Sequence, residues 1–217
     1  MGVPFSVRHR LLTSPLSQEY IGDDVFDPLW EELDRRAAVV FLHGAQVPSS
    51  TPYPHPYLGI PVTEVSCQIR CYLQWVPLTR VLSYFQVPNE TFKAAAHLVV
   101  SGKKRRFPNV KIILTHFGGV TPFLAPRIAV LSKHMGCPLS HEEILEDFKS
   151  FYFDTALSTH ETTLAAMQTF VGPDRILFGS DFPGAAPSIS VGRALGLTAS
   201  CLSSRERRDG GVVYTEC

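Results

Sequence analysis

The stretch Arg175-Ile176-Leu177-Phe178-Gly179-Ser180-Asp181-Phe182-Pro183 is the most informative part of this 217-residue sequence. Its first four residues predict a short buried strand, and Gly179 and Pro183 predict that the chain turns directly after it. Asp181 therefore stands at the carboxyl end of a strand, which is where parallel α/β proteins place catalytic and ligand-binding groups. The stretch favours an α/β fold with a functional site at one edge of a parallel sheet.

Two further apolar runs deliver a histidine in the same way. Ala38–Leu42 is followed directly by His43, and Val110–Thr115 is followed directly by His116. Imidazole nitrogens and carboxylate oxygens are common ligands of Zn²⁺ and related cations. Two imidazoles and a carboxylate at three strand ends therefore indicate a metal-dependent enzyme.

Helix and strand signals alternate through the middle of the chain. This alternation favours a parallel sheet with helical crossovers, and almost entirely apolar strands are typical of sheets that helices cover on both faces. Another strand is predicted at Phe151–Phe153, and the Asp154 that ends it is expected to have a structural or capping role. Five helices are predicted. The first has Asp27 as its N-cap, the second runs from Thr91 to a stop at Gly102, and the third runs from Pro122 to His134. The fourth and fifth follow capping boxes that begin at Ser140 and Ser158.

The four predicted strands would make up about half of a (β/α)₈ barrel, which has eight strands. We therefore expect an incomplete barrel domain over residues 20–189. Residues 65–86 interrupt it without sustained helical or strand periodicity, and we interpret them as a retained intron or, alternatively, as a plain surface insertion. Residues 1–19 and 190–217 are expected to be atypical or disordered ends.

Composition excludes several classes of protein. Hydrophobic residues make up 45% and charged residues 18% of the chain, as in globular proteins, and a formal net charge of zero indicates neither a nucleic-acid nor a membrane partner. The basic run Lys103–Arg106 is expected to be a solvated surface loop. The five cysteines form no paired framework, and neither a secretion signal nor a membrane span is evident, so a soluble cytosolic protein is expected.

Five stretches of the sequence occur in a recognisable order, each near the end of an alternating element. They are Tyr20–Leu33, Val39–His43, Thr115–Ile128, Phe151–Ala156 and Ile176–Pro183. Together they resemble the amidohydrolase-related metal-dependent decarboxylases, most of all the fungal 6-methylsalicylate decarboxylase type. The aminocarboxymuconate-semialdehyde and resorcylate decarboxylases are more distant relatives. The resemblance covers the chain from Tyr20 to Ile189, less the interrupting segment.

The resemblance implies a distorted, metal-dependent hydrolase-like (β/α)₈ TIM barrel with one divalent cation, Zn²⁺ before Mn²⁺. It implies His43, His116 and Asp181 as metal ligands, and His116 and Asp181 also as the catalytic groups that exchange protons with the substrate. Arg127 matches an arginine that in some relatives reaches the substrate carboxylate across a dimer interface. The implied reaction is non-oxidative decarboxylation of a small aromatic acid by a homodimer or homo-oligomer. Because the sequence lacks the family's His-x-His pair, we expect the first strands of the barrel to be missing.

Two other functions stay open. An amidohydrolase-type enzyme would use a metal-bound water to attack the carbonyl of an amide or lactone. A non-catalytic fragment or pseudoenzyme subunit is the other alternative, favoured by the missing His-x-His pair and by the two segments that break the pattern. Parallel assays of CO₂ release and of hydrolysis would separate the two kinds of enzyme.

Overall fold

The computed structural model of the chain describes residues 20–44 and 78–181. These residues contain a four-stranded parallel sheet whose strands lie side by side in the order in which they occur along the chain. Helices link the consecutive strands, as in the repeating units of a (β/α)₈ barrel. The expected α/β fold with a parallel sheet is confirmed. The strands are β1 (Val39–Leu42), β2 (Lys111–Leu114), β3 (Tyr152–Asp154) and β4 (Ile176–Leu177).

The register of the sheet aligns the carboxyl ends of the strands. Leu42 of β1 is the partner of Leu114 of β2, and Asp154 of β3 is the partner of Leu177 of β4. Side chains alternate across the sheet with a period of two, so every second residue of β1 and β2 is buried. The residues that follow the four strands therefore meet at one edge of the sheet.

The helices carry most of the hydrophobic core. Phe92 of α2 (Leu78–Val100) and Phe148 of α5 (His141–Lys149) are buried and stack with 6.3 Å between their ring centroids. Burying a side chain of this size contributes about 1.5–3 kcal/mol. Within the described ranges, no helix has both the length and the apolarity that crossing a membrane requires. The helices are α1 (Asp27–Arg35), α2 (Leu78–Val100), α3 (Lys103–Arg106), α4 (Thr121–His134), α5 (His141–Lys149) and α6 (Glu161–Phe170).

Helix α2 is longer than the sequence analysis predicted. It begins at Leu78 instead of Thr91 and continues through Pro88, so residues 78–86 are helical although they show no sustained helical periodicity. The remainder of the interrupting segment, residues 65–77, lies outside the described residues, as do residues 1–19 and 190–217. The retained-intron hypothesis and the domain limits therefore stay predictions.

The basic run Lys103–Arg106 is not a solvated loop, and this prediction was wrong. It forms the short helix α3, in which Lys103 is only 2% exposed. Lys103 donates to Asp24 at 2.8 Å and also to Asp27, while Arg105 donates to Asp147 of α5 at 2.8 Å. Acidic side chains from α1 and from the turn before it neutralise Lys103 and allow its burial, whereas Arg105 and Arg106 stay exposed while they pair with carboxylates.

Two predicted helix starts were wrong, one by one residue and the other by two. Asp27 is the first residue of α1 rather than its N-cap, because Asp24–Phe26 already form a 3₁₀ turn ahead of it. Helix α6 begins at Glu161, and its N-cap is His160 instead of Ser158: the His160 Nδ1 accepts a hydrogen bond from the Thr162 backbone N–H at 3.3 Å. An imidazole nitrogen fulfils here the role of a capping oxygen.

Two other helix ends agree with the prediction. At the start of α5, the Ser140 hydroxyl accepts from the Glu143 N–H at 3.1 Å, and the Glu143 carboxylate accepts from the Ser140 N–H at 2.8 Å. This is the reciprocal pair of bonds that defines a capping box. Gly102 follows α2 with a φ of +75°, the left-handed conformation that glycine adopts without strain.

Candidate metal centre

The three predicted metal ligands converge at the carboxyl edge of the sheet. His43 follows β1, His116 follows β2 and Asp181 lies beyond β4. Each offers one ligand atom, and these atoms all lie within 4.8 Å of one another. The two imidazole rings are 5.3 Å apart between centroids and nearly perpendicular, at 73°. The parallel register is the cause, because it brings together residues that are far apart in the sequence.

Both imidazoles are oriented by backbone carbonyl groups. The His116 Nδ1 lies 3.0 Å from the Ala156 carbonyl oxygen, and the His43 Nδ1 lies 2.6 Å from the Gly44 carbonyl oxygen. Because a carbonyl oxygen only accepts hydrogen bonds, each Nδ1 carries the proton, which leaves the Nε2 lone pair to act as a ligand. Metal-binding histidines are held in this way. The two imidazoles and the Asp181 carboxylate therefore fit a divalent cation.

The site is buried on one side and open on the other. His116 is buried, Asp181 is half-buried and His43 is exposed. A ligand can approach from the side of His43, whereas the core fixes His116 from behind.

Two of the three candidate ligands have a positive φ: +55° at His116 and +59° at Asp181. Phe117, the residue after His116, also has a positive φ of +54°. Such a conformation costs about 1–2 kcal/mol for a residue that is not glycine. It persists only where neighbouring groups hold it, and it is most common at functional sites.

Asp154 holds the backbone of His116. One oxygen of its buried carboxylate accepts hydrogen bonds from the N–H groups of His116 at 2.8 Å and of Ala156 at 3.0 Å. Burial raises the pKa of Asp154 above its ordinary value, although these N–H donors and the nearby imidazoles of His116 and His43 oppose the increase. The structural role expected for Asp154 thus consists of supporting His116.

Buried threonines complete the support, and sequence reasoning did not identify them. The Thr91 hydroxyl accepts from the Gly44 N–H at 2.9 Å and shares a hydrogen bond of 3.2 Å with the Thr115 hydroxyl. The Thr155 hydroxyl accepts from the Gly179 N–H at 3.1 Å. The only sequence signal is position, since Thr115 directly precedes His116 and Thr155 follows Asp154.

Two glycines leave room for helix α2 to pack against the edge of the site. A Cβ atom at Gly44 would lie 2.0 Å from the Val87 carbonyl oxygen, and one at Gly119 would lie 2.2 Å from the Pro88 carbonyl oxygen. From the sequence, the glycines after His116 are expected to let the backbone approach a ligand closely. At Gly119 the close neighbour is instead the backbone of helix α2.

Arg127 does not belong to the cluster of ligand atoms. It lies exposed on α4, the helix that follows the His116 loop. Its predicted contact with a substrate across a dimer interface stays a prediction.

Comparisons with known proteins agree with this fold. The sequence model of the amidohydrolase family matches residues 5–209. The 6-methylsalicylic acid decarboxylase of Penicillium expansum is 39% identical over 168 residues, which are 76% of this chain and 45% of that protein. Decarboxylase acuB of Aspergillus aculeatus, also a 6-methylsalicylic acid decarboxylase, is 37% identical over 171 residues, 76% of this chain and 45% of that protein. The chain thus spans less than half the length of these curated relatives.

A solved structure with the same fold contains a metal ion. It is the dihydroxybenzoic acid decarboxylase of Polaromonas sp. JS666, solved with bound manganese and the inhibitor 2-nitroresorcinol. Its superposition on this chain has a TM-score of 0.57 at 21% sequence identity, and the matched region covers 88% of this chain and 56% of the Polaromonas chain. Coverage of about half of that chain is consistent with a partial barrel.

Proposed function

We propose that this chain, which belongs to the amidohydrolase family, carries the metal-binding half of a decarboxylase for small aromatic acids of the hydroxybenzoate or 6-methylsalicylate class. The observation that carries the proposal is the convergence of His43, His116 and Asp181 within 4.8 Å, with both Nδ1 atoms engaged by carbonyl groups. The curated relatives are named as 6-methylsalicylic acid decarboxylases, which supports this class of substrate.

The proposed metal is one divalent cation, held by the Nε2 atoms of His43 and His116 and by the carboxylate of Asp181. A set of two nitrogens and one oxygen suits both Zn²⁺ and Mn²⁺. The manganese in the Polaromonas decarboxylase favours Mn²⁺ over the Zn²⁺ that the sequence analysis placed first. When bound, such a cation supplies a Lewis acid for the phenolate and carboxylate oxygens of the substrate.

Decarboxylation requires a proton at the ring carbon that bears the carboxylate. The bond from this carbon to the carboxyl carbon then breaks, its electron pair restores the aromatic ring, and CO₂ leaves. His116 has one nitrogen left for this chemistry, because its Nδ1 is bonded to Ala156. It can therefore bind a cation or carry the proton, but not both at once. Asp181 has two oxygens, so it can face a cation with one and exchange a proton with the other.

The test uses the full chain, loaded with Mn²⁺ or with Zn²⁺, and measures CO₂ release from 6-methylsalicylate. We expect His43→Ala to lose the metal and the activity together, whereas Asp181→Asn keeps part of the metal affinity and loses turnover. His134→Ala, which removes an exposed histidine of α4, is the control. Metal binding unchanged by His43→Ala would overturn the ligand assignment.

Two alternatives are outcomes of the same experiment. Hydrolysis of an amide or lactone without CO₂ release would identify a hydrolytic amidohydrolase. Metal binding without either reaction would identify a non-catalytic subunit.

Arg127 is proposed to bind the substrate carboxylate from a second copy of the chain. Phe123, Arg127 and Val130 are spaced by four and three residues on α4 and therefore share one face of the helix. All three are exposed, Phe123 to 61% and Val130 to 50%. Two large apolar side chains beside a guanidinium group suit a dimer interface that presents Arg127, whose planar fork matches a carboxylate.

A further inference from the structure

We propose that three consecutive residues at the end of β3, Asp154, Thr155 and Ala156, position two of the three metal ligands. We call this tripeptide the β3 clamp. The inference rests on the proposed function, because it takes His116 and Asp181 as ligands. The residues of the clamp are positioning residues: they contact neither the metal nor the substrate, and they act by holding the metal ligands in place.

The β3 clamp holds His116 at two points. The Asp154 carboxylate accepts from the His116 backbone N–H at 2.8 Å, and the Ala156 carbonyl oxygen accepts from the His116 Nδ1–H at 3.0 Å. The first bond fixes the backbone in its left-handed conformation, with φ +55°. The second fixes the rotation of the ring and the tautomer. Together they determine the direction in which Nε2 points.

The Asp154 carboxylate also makes the clamp rigid. The same oxygen that bonds His116 accepts from the Ala156 N–H at 3.0 Å, so the carboxylate ties both ends of the tripeptide together. Asp154 and Ala156 are each 4% exposed and Thr155 is 1% exposed. A buried carboxylate with two fixed donors resists rotation, because any other orientation leaves buried N–H groups without an acceptor.

The middle residue of the clamp holds the chain that leads to Asp181. The Thr155 N–H donates to the Leu177 carbonyl oxygen at 3.0 Å. Its hydroxyl accepts from the Gly179 N–H at 3.1 Å and donates to the Gly179 carbonyl oxygen at 3.3 Å. Gly179 lies two residues before Asp181, and a Cβ atom there would approach the Asp154 Cβ to 3.1 Å. The clamp therefore sets the spacing between His116 and Asp181.

The test compares Asp154→Ala, Asp154→Asn and Thr155→Val in the full chain. Asn keeps an oxygen that can accept both N–H groups, Ala keeps none, and Val replaces the Thr155 hydroxyl with a methyl group of similar size. We expect Asp154→Ala and Thr155→Val to weaken Mn²⁺ binding by about 10- to 100-fold, as is typical for groups that orient metal ligands. Asp154→Asn is expected to stay within about threefold of the wild type, since the hydrogen bonds remain.

Asp147→Asn is the matched control, because Asp147 is another buried carboxylate but bonds Arg105, away from the ligands. Electron paramagnetic resonance of Mn²⁺ gives the dissociation constants, and thermal unfolding shows that each variant folds. If Asp154→Asn bound Mn²⁺ as weakly as Asp154→Ala, or if Asp147→Asn did so, positioning by hydrogen bonds would be wrong.

A metal-free measurement separates the clamp from the proposed function. Amide hydrogen exchange at His116 is expected to accelerate in Asp154→Ala and to stay slow in Asp154→Asn. Failure of the wild-type chain to bind Mn²⁺ would overturn the metal-dependent function, while the exchange result would still decide whether Asp154 holds His116. Unchanged exchange at His116 in Asp154→Ala would overturn the clamp alone.

Discussion

The hydroxyl groups of Thr91 and Thr115 share a hydrogen bond of 3.2 Å beneath the two histidine-bearing loops. Thr115 precedes His116, and Thr91 accepts from the N–H of Gly44, the residue after His43. Helix α2 thus joins the ends of β1 and β2 through one buried side chain. The distance between the two imidazoles depends on a residue that belongs to neither loop.

We expect Thr91→Val to lower the free energy of unfolding by about 1–3 kcal/mol, because the buried Gly44 N–H loses its acceptor. Thr91→Ser keeps the hydroxyl and is expected to recover most of this loss. Thr169→Val, on the exposed part of α6, serves as the control. Urea unfolding measures all three, and equal stability of Thr91→Val and wild type would contradict the prediction.

Gly119 and Gly102 provide a comparison for the close approach of α2. Both have a positive φ, but Gly119 combines it with a ψ of −114° and faces the Pro88 carbonyl oxygen, whereas Gly102 is left-handed helical and a Cβ atom there would meet nothing within 4 Å. Gly102→Ala is expected to cost about 1–2 kcal/mol for the backbone conformation alone. Gly119→Ala should cost clearly more and also weaken Mn²⁺ binding. Equal effects of the two changes on unfolding would show that α2 adapts without cost.

Asp27 links stability to pH. Burial alone would raise its pKa, but hydrogen bonds from Lys103 and Arg106 outweigh burial and hold the pKa below its ordinary value. A carboxyl group with a lowered pKa in the folded state stabilises the fold above its unfolded pKa, and this contribution disappears as the pH falls through the folded pKa. We expect Asp27→Asn to reduce stability by about 1–3 kcal/mol at neutral pH.

The difference between Asp27→Asn and wild type should shrink when urea unfolding is repeated at successively lower pH, below about pH 4. Glu32→Gln is the control. Arg35 and Arg36 lower the pKa of Glu32 to about 2, but its side chain is 44% exposed and solvent screens these pairs, so little change in stability is expected. A difference for Asp27→Asn that stayed constant down to pH 2 would exclude its ionisation as the cause.

The proposed dimer depends on the exposed face of α4. Phe123→Ser should shift the chain toward the monomer in analytical ultracentrifugation, because association would bury this ring. Val25→Ser removes an apolar side chain with the same 61% exposure from the 3₁₀ turn before α1 and is expected to have no effect. A chain that is monomeric before either substitution would rule out a second copy as the source of Arg127.

The convergence of the three candidate ligands could be predicted because each lies within three residues of the end of an apolar run. His43, His116 and Asp181 could be placed at strand ends from local pattern alone, and the parallel register then brings them together. The burial of Lys103 could not be predicted from local pattern. Its partners Asp24 and Asp27 lie 79 and 76 residues away, and nothing near a run of four basic residues indicates that distant carboxylates neutralise it.

The start of α6 shows a different limit. Ser158 and His160 can both accept a hydrogen bond from a helical N–H, and each lies within three residues of a plausible first turn. The choice between them depends on where the chain leaves β3, since Thr163 donates to the Ser158 carbonyl oxygen at 2.5 Å and keeps that residue outside the helix. A local side-chain hydrogen bond, which the capping pattern does not include, accompanies this boundary.

The agreement between strand order in space and strand order along the chain has a consequence for synthesis. Each strand pairs with the one translated before it, so the sheet can grow from β1 to β4 as the chain leaves the ribosome. His43 and His116 emerge well before Asp181. Asp154 and Ala156, which hold His116, follow it by 38 and 40 residues, so the proposed ligand set can be complete only after β3 and β4 have joined the sheet.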